Sequence, residues 1–149
     1  MIRAIVVLLL LALAGCTSRG VSYDKEVDDL GAHIVSDLKA LPTVSDAAYR
    51  YDHGVDLGQH LRIRAILRQE SVSPDNVQQS IELAVKEFWL SPASVGHLTV
   101  AVYSSANPPV GDDDAKNTDR AIGSENIEDS AAFDRPEMER KYGPRPSRR

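Results

Sequence analysis

The stretch His60–Tyr103 reads HLRIRAILRQESVSPDNVQQSIELAVKEFWLSPASVGHLTVAVY, and its periodicities decide the fold. From His60 to Arg68 the apolar residues Leu61, Ile63, Ala65 and Leu67 alternate with Arg62, Arg64, Ile66 and Arg68. Period-two alternation predicts a strand with one apolar and one largely basic face. Ser73-Pro74-Asp75 then carries three helix-start signals: a capping hydroxyl, a proline for the first turn and an acid for the positive end of the helix dipole. Val77, Ile81, Ala84, Val85 and Phe88 follow as one helical stripe, extended by Trp89 and Leu90 and stopped at Ser91-Pro92. Leu98 to Tyr103 alternates again, so the stretch reads as strand, helix, strand, a crossover that makes the two strands parallel.

Working outward, Val27, Leu30, Ile34, Leu38 and Leu41 recur at three- and four-residue steps. They predict a helix from about Tyr23 to Ala40, with Ser22 as its cap and Pro42 as its stop. Ala47 to Asp52 predicts a strand, with Tyr49 and Tyr51 on one face. The expected body, residues 23–106, is an α+β domain: a helix, then β-β-α-β, with a small three-stranded sheet and helices on one face. The composition changes after Asn107-Pro108-Pro109. Residues 107–134 lack periodicity and are expected to form a disordered or loosely packed linker. Arg135–Lys141 is expected to form a short helical turn with Met138 and Tyr142 on one side, before a basic tail at the end of residues 135–149.

The chain of 149 residues has 22 acidic and 17 basic side chains, a formal net charge of −5. A mildly acidic chain has no overall field for nucleic acid, so no nucleic-acid partner is expected. One cysteine excludes an internal disulfide framework.

That cysteine ends a particular context. Arg3 precedes an apolar run from Ala4 to Ala14, and Leu13-Ala14-Gly15-Cys16 closes it. The run is too short to span a bilayer, which takes about 20 apolar residues, but it suits a secretory leader. Leu13-Ala14-Gly15-Cys16 resembles the lipobox of bacterial lipoproteins. The resemblance implies cleavage between Gly15 and Cys16 and a diacylglyceryl thioether on the Cys16 sulfur, with acylation of the new N-terminus. Residues 1–15 would then be a signal peptide and residues 16–22 a lipidated tether. The protein would sit on the extracytoplasmic face of the cell membrane, with the membrane itself as a partner. Two acyl chains hold a protein stably where one does not. The ending Tyr142-Gly143-Pro144-Arg145-Pro146, and the helix that ends near Phe88-Trp89 ahead of a strand, are similar to small envelope lipoproteins of high-GC Gram-positive bacteria. That group carries no settled activity.

Sites that would carry chemistry are sparse in the sequence. Ser36-Asp37-Leu38-Lys39 has the Ser-x-x-Lys spacing of penicillin-binding enzymes, but without their Ser-Asp-Asn and Lys-Thr-Gly partners it reads as the polar face of a helix. Gly111-Asp112-Asp113-Asp114 lacks the alternating acids of a calcium loop. His60 and His97 both begin strands, so with Asp52 or Asp56, a set that could hold zinc, they define the weaker alternative, a small envelope hydrolase or metal-dependent enzyme. No catalytic residue, metal ligand or cofactor is assigned. Arg62, Arg64 and Arg68, with Trp89, are the candidate binding residues, and they would serve a lipid- or glycan-binding module if they lined one site. The leading expectation is a non-enzymatic envelope lipoprotein that acts by contact with an envelope protein or ligand.

Overall fold

The computed structural model describes residues 22–54, 58–111, 118–129 and 135–147. The leader, Gly15 and Cys16 with the tether through Val21, and Asp56 lie outside the described residues. Among those residues, no helix is long and apolar enough to cross a membrane.

Helix α1 spans Lys25–Ala40 and buries Val27, Leu30, Gly31, Ile34 and Leu38 on one side. Its cap is Asp24, not Ser22: the Asp24 carboxylate accepts from the Glu26 backbone N–H at 2.8 Å. An ionised cap also meets the positive end of the helix dipole. Gly31 has a packing reason. A Cβ there would lie 2.4 Å from Tyr49 Cδ2 and 2.9 Å from Leu61 Cδ1, so the helix backbone rests directly on the sheet.

Strands β1 (Val44–Gly54) and β2 (Gly58–Leu67) form an antiparallel pair, and both run longer than the expected Ala47–Asp52 and His60–Arg68 cores at their shared turn. Helix α2 is Pro74–Leu90, and Ser73 Oγ accepts from Asn76 N–H at 3.2 Å. Its buried side chains are Ser80, Ile81, Ala84, Val85, Phe88 and Trp89. Strand β3, His97–Ser104, lies parallel to β2, as the crossover demands.

The expected three-stranded sheet is corrected to four strands in the order β1-β2-β3-β4. Strand β4, Gly123–Glu128, pairs antiparallel with β3 inside the segment expected to be a loose linker. Its sequence hides it. In Gly-Ser-Glu-Asn-Ile-Glu only Ile127 is apolar, because an edge strand can be held by backbone hydrogen bonds while most of its side chains stay wet. Gly123 is also a close approach: a Cβ there would lie 2.3 Å from Val77 Cγ1.

The core lies between the sheet and the helices. Leu61, Ile63, Ala65 and Leu67 of β2 and Leu98, Val100 and Val102 of β3 meet the apolar stripes of α1 and α2. Each Leu, Ile or Val among them contributes about 1.5–3 kcal/mol when fully buried. Helix α3, Arg135–Tyr142, packs along α2, with Met138 and Tyr142 against the core margin as their spacing predicts.

Candidate functional site

Strand pairing places polar side chains in rows across the second sheet face, away from α1 and α2. Residues paired in register project to the same side of a sheet. Asp52, His60, His97 and Glu128 form one row, with one residue from each strand. Arg50, Arg62, Thr99 and Asn126 form the next. Ala48, Arg64, Ala101 and Ser124 form a third.

The first two rows bond to one another. Asp52 accepts from Arg50 Nε at 2.7 Å through Oδ1 and from Arg62 Nε at 2.9 Å through Oδ2. His60 Nε2 lies 2.9 Å from Thr99 Oγ1, and Thr99 Oγ1 donates to Asn126 Oδ1 at 2.9 Å. A hydroxyl has one proton. With that proton on Asn126, the Nε2–H tautomer of His60 completes the chain by donating to Thr99. His97 Nδ1 stands 3.7 Å from Glu128 Oε1, and the two imidazole rings are 5.6 Å apart at 49°.

Burial and neighbouring charge set the protonation states. Burial pushes the Asp52 carboxyl up, but the hydrogen bonds and charges of Arg50 and Arg62 outweigh it and hold its pKa below the usual carboxylate range. Burial, then the charges of Arg62 and His97, lower the His60 pKa to about 4 against the pull of Asp52. His60 is therefore neutral near pH 7.

The sequence-chosen residues separate. Arg62 belongs to the network and, although it stands on the basic face of β2, is 8% exposed because Thr99 and Asp52 flank it from both neighbouring strands. Arg64 is half-buried in the third row, and its Nε has no hydrogen-bond partner. Arg68 lies just past β2, where its Nε donates to the Pro42 carbonyl at 3.0 Å. Trp89 sits in the helix layer at 3% exposure. Its Nε1 donates to the Gly143 carbonyl at 2.9 Å, and the Arg145 guanidinium lies 4.9 Å from its ring centroid. Trp89 and the arginine row thus lie on different sides of the sheet.

Of the acids named for the zinc alternative, only Asp52 is among the described residues. His60 and His97 are adjacent, but His60 Nε2 is engaged by Thr99 and both Asp52 oxygens are engaged by arginines. Among the described residues, neither histidine belongs to a group of three converging metal-ligating atoms.

Arg50, Thr99, Asn126 and Glu128 were not picked out by sequence reasoning. Strand parity points Arg50 and Thr99 to the polar face, but their place in one row, on either side of Arg62, depends on the register of two strand pairs. Asn126 and Glu128 lie in β4, which carries no strand signal. The arrangement suits recognition: buried Arg62 holds Asp52, which holds exposed Arg50, and buried Thr99 holds exposed Asn126.

Comparison with protein-family models, with curated proteins and with solved structures yields no match.

Proposed function

We propose that the protein is a lipid-anchored lipoprotein of the bacterial cell envelope, non-enzymatic, whose small α+β domain acts by contact with a partner at the outer surface of the membrane. The observation that carries this reading is Leu13-Ala14-Gly15-Cys16 at the end of the apolar run, with the cysteine unique in the chain. Helix α1 begins at Lys25, so only a short tether separates the lipid on Cys16 from the folded body. The polar rows support a contact role. Asp52, His60, Thr99 and Asn126 of the first two rows are held in hydrogen bonds within those rows, so they offer a fixed pattern of charge and not a poised acid or base.

The test is lipid labelling in a bacterial host that processes lipoproteins. Wild type incorporates labelled fatty acid and matures by loss of residues 1–15. Cys16→Ser remains an unlabelled precursor. Labelled lipid on the serine variant overturns the anchor.

A further inference from the structure

We propose that His33, Asp37 and Glu87 form a divalent transition-metal site that staples α1 to α2, with zinc as the best-matched ion. His33 and Asp37 are one helical turn apart on α1, and Glu87 reaches them from α2. His33 Nε2 lies 3.6 Å from Asp37 Oδ2 and 3.5 Å from Glu87 Oε2, and the three ligating atoms all lie within 4.8 Å of one another. Two donors each about 2.1 Å from a tetrahedral zinc stand about 3.4 Å apart. Two of the three donor separations already match that spacing, on backbones held by the helix layer.

The donor set selects the ion class. One imidazole with two carboxylates suits zinc and its first-row neighbours, whereas magnesium and calcium prefer oxygen alone. The surroundings favour a cation. Glu26 and Asp29 line the groove of ≈ 350 Å³ on one side of the trio, Asp29 in a pair with Lys25, and Asp75 and Glu82 line the groove on the other, Glu82 in a pair with Lys141. Lys86 is the opposing charge in the second groove. His33 is exposed, which leaves the remaining coordination positions to water. The chemistry is structural. The site joins the helix nearest the membrane tether to the helix that covers β3, and it lies apart from the polar rows.

Isothermal titration of the chelator-stripped full chain with zinc chloride tests this. Wild type is expected to take up one zinc per chain at this site, with a rise in melting temperature. His33→Ala, Asp37→Asn and Glu87→Gln are each expected to weaken binding by at least about tenfold, as the loss of a direct ligand should exceed the effect of an outer partner. His97→Ala leaves binding unchanged. All three ligand substitutions are at least partly exposed, and circular dichroism verifies that each variant is folded. Absence of saturable binding overturns the site. So does binding that survives His33→Ala, or magnesium raising the melting temperature equally in wild type and His33→Ala, which would reveal a general effect of carboxylate charge.

Discussion

The indole Nε1 of Trp89 donates to the carbonyl oxygen of Gly143, 54 residues further along the chain. The bond ties the C-terminal segment to α2. Arg145 completes the fastening: its guanidinium lies over the rings of Trp89 and Phe88 and pairs with Asp129 just beyond β4. Tyr142-Gly143-Pro144-Arg145-Pro146 is thus a strap joining three elements. Gly143 has φ +91°, a left-handed turn that glycine adopts without strain and that directs the chain from α3 onto Trp89.

Because Trp89 is the chain's one tryptophan, its fluorescence reports the strap directly. Arg145→Ala removes the cation over the indole and the partner of Asp129. Emission is expected to shift to the red, acrylamide quenching to increase, and stability to fall by about 1–3 kcal/mol. Unchanged emission would show that the strap does not shield the ring.

Gly31→Ala introduces a methyl group where Tyr49 and Leu61 already stand. In an exposed helix that change would stabilise by up to about 1 kcal/mol. Here it is expected to destabilise by about 1–3 kcal/mol through overpacking. Urea denaturation decides the sign.

Asp52→Ala leaves Arg62 buried without its carboxylate. Removing one partner of a buried pair costs about 3–5 kcal/mol, and the lower end is expected because Arg62 has further contacts. Asp29→Ala breaks the exposed Lys25–Asp29 pair and is expected to cost less than about 1 kcal/mol. Chemical denaturation of the two variants side by side separates a structural carboxylate from an ornamental one.

His60 makes stability depend on pH with a defined sign. Its folded pKa of about 4 lies below the ordinary histidine value of 6.5, so the unfolded chain takes up the proton first. The stabilising contribution is complete above pH 6.5 and is lost as pH falls from 6.5 towards 4, with a slope of at most about 1.4 kcal/mol per pH unit. His60→Gln keeps a donor for Thr99 and is expected to flatten that part of the profile. Denaturation midpoints between pH 7 and pH 4 provide the check.

The helices and the central strands were legible because they bury one side. The stripe on α2, the alternation in β2 and the caps around Ser73 are local signals, and the structure places those elements within a residue or two. Gly31 has no local reason in α1, because the side chains it makes room for lie on β1 and β2. Strand β4 was missed because an edge strand needs no apolar face.

The sequence by itself determined the α+β class, the parallel β2–α2–β3 unit and the docking of Met138 and Tyr142, and it alone carries the Leu13-Ala14-Gly15-Cys16 resemblance behind the proposed anchor. All of these rest on spacing along the chain. Only the tertiary structure decided that Asp52 would pair with both Arg50 and Arg62, that Thr99 would join His60 to Asn126, and that Glu87 would meet His33 and Asp37. Those meetings depend on strand register and on how α1 lies against α2. Register and helix seating are fixed by packing among residues distant in the chain, so no local pattern encodes them.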